Sequence, residues 1–352
     1  MKHSRRRQVF CTIAAQHDNL GDIVIRQRML ELVDPEICDL RISVGAMPPA
    51  YIDAFDLPAH ARLYRSGLAF GASFVWSSVA GRSALLLPPG PYPLTSARAA
   101  LRSWASVIMS ALARAGGGAS VTVGKSVRGA HRGAISAERA LVRISRLYVS
   151  RDRLSAQTLG IPVDALPDLA LLAPARSASF KNVVAISLRY DKPVGEDLLR
   201  SVVAWSRAQG LVPTFVTQVR RDEKQHADLA ERLGAEHLSW GDRSHREQME
   251  SIEELYSRSS LVVTDRLHAA LLGVIGGAVP LALRGKDEPS KIVDAFDGVL
   301  PVVTLDRNGE HRLPDRLSAG LQSAETVASA REDARHGLIS LRDRVRLRLA
   351  GR

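Results

Sequence analysis

The sequence predicts an α/β protein made of two doubly wound, Rossmann-like domains with an amphipathic helix at the C-terminal end. Three observations carry this expectation. Short β-branched runs alternate with helix-like segments in both halves of the chain, the pattern of parallel sheets covered by helices. The chain has 352 residues, more than the roughly 250–300 at which a single core stops growing. Aromatics make up 5% of the residues and hydrophobic residues 45%, a balance that suits α/β layers better than a β-sandwich.

Residues 8–15 read as the first core strand. They follow Arg5-Arg6-Arg7 as a signal peptide's apolar region would, but the run is short and leads into Gln16-His17-Asp18-Asn19 with no cleavage signal. A polar turn over residues 16–21 precedes a helix from Asp22 to about Val33. Ser83–Leu87 is a short buried strand, and a helix is expected over 96–115. A strand over 120–123 then leads to Gly124-Lys125-Ser126, read as a turn; it lacks the upstream glycine spacing of a phosphate-binding Walker loop. Leu147–Ser150 is a further strand. Residues 171–179, rich in Ala, Ser and Pro, read as a linker, so residues 1–175 and 180–310 are the expected domains.

In the second half, strands are expected at 182–188, Val212–Val216, 237–240 and 261–264, with helices at 197–209, 225–233 and 251–259. The segment 324–350 has Leu338, Leu341, Val345 and Leu349 on one stripe, an amphipathic helix expected to pack back on the first domain. Nothing reads as a membrane span, since the apolar block ending at Leu283 is short and cut by Gly276, Gly277 and Pro280.

Charge is concentrated at the ends. The formal net charge is +11. Residues 1–10 carry Lys2, Arg5, Arg6 and Arg7 with no acid, and residues 331–352 carry seven arginines against Glu332, Asp333 and Asp343. This argues against a nucleic-acid groove across the body of the fold; the basic ends suit solvated termini or, alternatively, peripheral contact with an anionic membrane. Cys11 and Cys38 are the only cysteines, and their positions indicate neither a disulfide scaffold nor a metal site. A reducing cytoplasm is the expected location.

In open α/β sheets ligands sit beyond the carboxyl ends of the strands. That rule selects Asn19, Gly21 and Asp22, then Ser126, Arg189, and the turn Asp265-Arg266-Leu267-His268. Arg189 and Arg266 each follow a predicted strand within two residues, and a pair of guanidinium forks suits a small substrate bearing carboxylate or phosphate. His268, at the start of a helix, is a candidate general acid or base. Lys291 adds positive charge after the next strand.

The strings Asn19-Leu20-Gly21-Asp22, Leu188-Arg189 and Asp265-Arg266-Leu267-His268, with Gly277-Ala278-Val279-Pro280 after them, resemble the polysaccharide pyruvyl transferase family. The resemblance implies a GT-B-like fold whose two domains face a cleft, and phosphoenolpyruvate as donor with no separate cofactor. It implies a reaction that sets the pyruvyl group as a cyclic ketal on a sugar of a cell-surface polysaccharide or glycolipid precursor, free or lipid-linked. Arg189, Arg266 and His268 match donor-binding positions, and Asp22 an acidic position in the cleft. No metal is expected. Two alternatives stand beside this reading: a GT-B glycosyltransferase using a nucleotide sugar, for which Glu253 and Glu254 would serve the ribose, and a non-catalytic protein binding anionic glycolipid.

Overall fold

The computed structural model describes residues 6–286, 288–309 and 312–351. Lys2, Arg5 and Arg352, counted above among the basic ends, lie outside the described residues. The chain divides into two compact units, one of Met1–His17, Asp22–Leu169 and Gly337–Arg352, the other of Asp18–Gly21 and Ala170–His336.

The first unit carries β1 (Arg7–Thr12), β2 (Cys38–Ser43), β3 (Arg62–Tyr64), β4 (Ser83–Leu87), β5 (Gly90–Pro93), β6 (Ala119–Arg128), β7 (Leu147–Ser150) and β8 (Asp164–Ala165). They form a parallel sheet in the order β3-β2-β1-β4-β6-β7-β8, with β5 paired to β6. Every residue of β4 is buried, as expected where helices cover both faces of a parallel sheet. Phe10, Phe74, Leu85, Leu141 and Tyr148 form one core cluster, in which Phe10 meets the Phe74 ring edge-on at 5.1 Å.

One expectation fails here. Gly124-Lys125-Ser126 is not a turn but the interior of β6. The register shifts at Gly124, whose φ of +71° is one that only glycine takes readily. The strand therefore continues through the bulge, pairing first with β4 and then with β5. Lys125 is fully buried with its Nζ 2.8 Å from Glu138 Oε1, which also accepts from Tyr148 Oη at 2.8 Å. The polar look of the string misled because the carboxylate that compensates it lies thirteen residues further on.

The second unit carries β9 (Val183–Ser187), β10 (Val212–Val216), β11 (Glu236–Leu238), β12 (Ser259–Thr264), β13 (Val279–Arg284) and β14 (Val303–Asp306). All pair in parallel, in the order β11-β10-β9-β12-β13-β14. Counted from β9, this is the 3-2-1-4-5-6 order of a Rossmann sheet. Helices Glu196–Ala208, Glu223–Leu233, His245–Ser257, Leu267–Ile275 and Lys291–Phe296 follow successive strands. The first turn of His245–Ser257 is closed by a capping box between Ser244 and Glu247. Leu267–Ile275 lies close on the sheet because position 273 is glycine: a Cβ there would come within 2.4 Å of Val262 Cγ2.

The long helix Ala324–Ala350 buries Leu338, Leu341, Val345 and Leu349. Within the first unit, Arg346 Nη2 donates to the Glu31 carbonyl at 3.0 Å. Among the described residues no helix is long and apolar enough to cross a membrane.

Candidate active site

The strand order of the second sheet reverses between β9 and β12, and their carboxyl ends lie side by side, Ser187 opposite Thr264. Thr264 Oγ1 donates to the Ser187 carbonyl at 2.5 Å and accepts the Arg266 backbone N–H at 2.9 Å. Asp265 Oδ1 accepts the backbone N–H of Arg189 at 3.0 Å. The two chain segments leaving the sheet are thereby tied together, and the two arginines chosen from the sequence share one spot.

Each guanidinium is aimed by a carboxylate. Arg266 Nη2 lies 2.6 Å from Oδ1 and 2.5 Å from Oδ2 of Asp222. Asp222 is fully buried and also accepts the Tyr190 N–H at 3.1 Å. Burial pushes the Asp222 carboxyl's pKa up, and the Arg266 guanidinium opposes that rise. Arg266 Nε is buried and makes no hydrogen bond among the described residues. Arg189 forms a fork to Asp191, Nε to Oδ1 at 2.9 Å and Nη2 to Oδ2 at 2.6 Å. This pairing raises the arginine's pKa and holds the Asp191 carboxyl at about 2. Asp191 is well exposed, so its seat on Arg189 is open to exchange with a dissolved anion. Behind the turn, Arg307 reaches Asp265 Oδ2 at 3.6 Å and Glu288 Oε2 at 3.2 Å, and Lys192 pairs with Glu288.

The segment Asp18–Gly21 is stitched to the chain after β10. The Leu20 N–H donates to the Gln218 carbonyl at 3.3 Å and the Arg220 N–H to the Asp18 carbonyl at 2.9 Å. Asn19 pairs with Val219, and its Oδ1 accepts the Gly21 N–H at 3.1 Å. Gly21 then lies against His268: a Cβ on residue 21 would be 2.2 Å from both Cγ and Nδ1 of the imidazole. Beneath the site, His226 is fully buried, its Nε2 3.0 Å from the Leu188 backbone N and its Nδ1 3.0 Å from Thr217 Oγ1. Burial lowers its pKa to about 3, so it is a neutral support for the residue preceding Arg189.

Asn19, Gly21, Arg189, Arg266 and His268 thus all belong to the second unit. Asp22 and Ser126 belong to the first. Asp22, in the first turn of helix Leu20–Leu30, is ion-paired with Arg26 at 3.3 Å. Ser126, being inside β6 rather than in a turn, is buried and hydrogen-bonds Asp152. Lys291 is exposed at the start of its helix after β13. The sequence reading missed Asp222 and Asp191 as the carboxylates that hold the two guanidinium groups, and it selected Asp265 only as part of the turn. Asp191, two residues after Arg189, and Asp265, beside Arg266, offered local signals, whereas Asp222 offered none. Among the described residues no group of three or more His, Cys, Asp or Glu is arranged to hold a metal ion.

Two parallel Rossmann-like sheets with a long final helix define an α/β chain of the GT-B kind. It is similar to UDP-GlcNAc 2-epimerase from Neisseria meningitidis bound to UDP-GlcNAc, at 9% identity, covering 95% of this chain and 98% of that one with a TM-score of 0.58. It is also similar to a putative UDP-N-acetylglucosamine 2-epimerase from Listeria monocytogenes, at 11% identity over 94% and 91% of the two chains, TM-score 0.57. At such identities the likeness establishes the fold alone. Residues 132–284 match the family model for polysaccharide pyruvyl transferase, a family of transferases. That span contains Arg189, Arg266 and His268. No curated protein matches the chain.

Proposed function

We propose that the protein transfers the pyruvyl group of phosphoenolpyruvate to two hydroxyls of one sugar in a cell-surface polysaccharide or glycolipid precursor, releasing phosphate. The observation that carries this reading is the pairing of Arg189 and Arg266 at the switch point of a Rossmann sheet. Two adjacent forks suit a donor bearing both a carboxylate and a phosphate, and the family match covers both residues.

In this reaction the donor's methylene carbon gains one proton and becomes a methyl group. The carbon bearing phosphate forms bonds to two acceptor oxygens, and its bond to the phosphate oxygen breaks. Of the two hydroxyl protons, one balances the new methyl group and the other leaves with phosphate. Arg189 and Arg266 hold the donor's anionic groups and offset the charge that builds up on departing phosphate. His268, seated on Gly21, delivers a proton to the methylene carbon or to the phosphate. Asp22 takes a proton from an acceptor hydroxyl. The reaction takes place on the cytoplasmic side, where phosphoenolpyruvate is available.

The test is phosphate release from phosphoenolpyruvate in the presence of galactosides, glucosides and mannosides. Release that depends on one sugar class, with a ketal on the product, supports the proposal. Turnover of a nucleotide sugar without use of phosphoenolpyruvate would replace it with the glycosyltransferase reading.

A further inference from the structure

One helix of the first unit is amphipathic in the reverse sense, and its neighbour Gly67–Val79, which buries Phe74 in the core, is apolar on its exposed face as well. Helix Ala97–Ala115 turns Ser103, Ser106 and Ser110 inward, where Ser103 Oγ donates to Glu138 and Ser110 Oγ bonds Ser120 Oγ at 2.7 Å. Its opposite face presents Leu101, Trp104 and Ile108 to solvent, with Leu101 71% exposed. The spacing of these three residues puts them on one stripe. The neighbouring helix Gly67–Val79, packed against it, has no charged residue. It leaves Leu68, Trp76 and Val79 exposed at 88%, 77% and 80%. A soluble surface rarely spends two tryptophans and several branched aliphatics in this way unless something covers them.

Charge around this face indicates what the cover is. From Leu57 to Ala137 the sequence contains nine Lys and Arg and no Asp or Glu. The near-neutral middle of the chain therefore conceals a strongly basic stretch that includes both helices. Arg98 and Arg102 flank the apolar stripe of Ala97–Ala115 and are exposed, as are Arg62 and Arg65 ahead of Gly67–Val79. Aliphatic side chains and tryptophans bordered by arginine, in a stretch of sequence without acids, match the boundary between acyl chains and anionic headgroups.

We infer that the face formed by Gly67–Val79 and Ala97–Ala115 docks on an anionic lipid bilayer, lying in its interface without crossing it. This locates membrane contact on the first unit's helices instead of on the basic ends of the chain. It is independent of the donor chemistry proposed above.

The experiment is flotation of the full chain with vesicles of phosphatidylcholine alone or with about one third phosphatidylglycerol, read together with tryptophan emission. Trp205 and Trp240 are buried, so a blue shift on binding reports Trp76 and Trp104. The chain is expected to float with the anionic vesicles only. Trp76→Ser with Trp104→Ser, and separately Arg98→Glu with Arg102→Glu, should each weaken partitioning by about tenfold or more. The arginine variant alters only exposed side chains, so it decides the matter even if the tryptophan variant fails to fold. No flotation of the parent chain, or flotation unchanged in the arginine variant, would overturn the inference. So would a concentration-dependent dimer that the tryptophan variant abolishes, because a second copy would then be the cover.

Discussion

Gly21 and His268 are in such close contact that a single methyl group on residue 21 would stand 2.2 Å from the imidazole Cγ. No positive φ requires glycine at this position; the requirement is the approach of the ring. The backbone of a turn near the start of the chain thus sets the position of a side chain nearly 250 residues later. Gly21→Ala must move the ring or the turn. It should lower kcat by about two decades, as misplacing a proton-transfer group does, and lower the melting temperature as overpacking does. Activity and a melting curve on the same preparation check this. A near-normal rate would mean that His268 need not sit where it does.

The ion pair between Arg266 and the buried Asp222 gives a stability prediction. Asp222→Ala would leave a mostly buried guanidinium without its partner, a change that costs on the order of 3–5 kcal/mol. Urea denaturation should show that loss in the single variant. Adding Arg266→Met should recover part of it, because no uncompensated charge then remains. Donor binding should fail in both variants.

This pair also marks what the sequence could and could not reveal. The place of Arg189 and Arg266 at strand ends was legible because each follows a β-branched run within two residues, and strand ends are where α/β proteins bind ligands. The alternation of strands and helices was more legible in the second half than in the first, where β2, β3 and the helices Gly67–Val79 and Arg132–Ile144 were not read from the sequence. Asp222 was not legible, because it lies 44 residues before Arg266 and only the order of β10, β9 and β12 brings the two together. Gly21 was selected from the sequence by its place after the first strand, yet its neighbour His268 lay beyond any local signal. The error at Gly124-Lys125-Ser126 is of the same kind: a buried Lys125 looks like a turn residue until Glu138 is seen beside it.

That second buried pair allows a parallel measurement in the first unit. Lys125→Met alone should destabilise the chain by about 3–5 kcal/mol, since it leaves the Glu138 carboxylate buried without its cation. Lys125→Met combined with Glu138→Leu should cost markedly less. A denaturation series over the two single variants and the double variant completes the cycle.

His226 predicts a pH dependence. Its folded pKa is depressed to about 3, against about 6.5 for an imidazole in the unfolded chain. Between these values the unfolded state binds the extra proton, so stability must fall as the pH drops. The contribution is fully present above about pH 6.5 and is lost progressively toward pH 3, with a slope approaching 1.4 kcal/mol per pH unit, as an order of magnitude. His226→Gln keeps a polar side chain under Leu188 and removes the titration. Its stability should vary less steeply over that window in chemical denaturation run at several pH values.

The central claim is that Arg189 and Arg266 together form an anion seat for phosphoenolpyruvate, and direct calorimetric binding tests it most simply. The parent chain should bind phosphoenolpyruvate without any acceptor sugar. Arg189→Gln and Arg266→Gln should each weaken binding by about tenfold or more, as loss of a charge-assisted fork does. Affinity unchanged in both variants, or binding of a nucleotide sugar in preference to phosphoenolpyruvate, would contradict it.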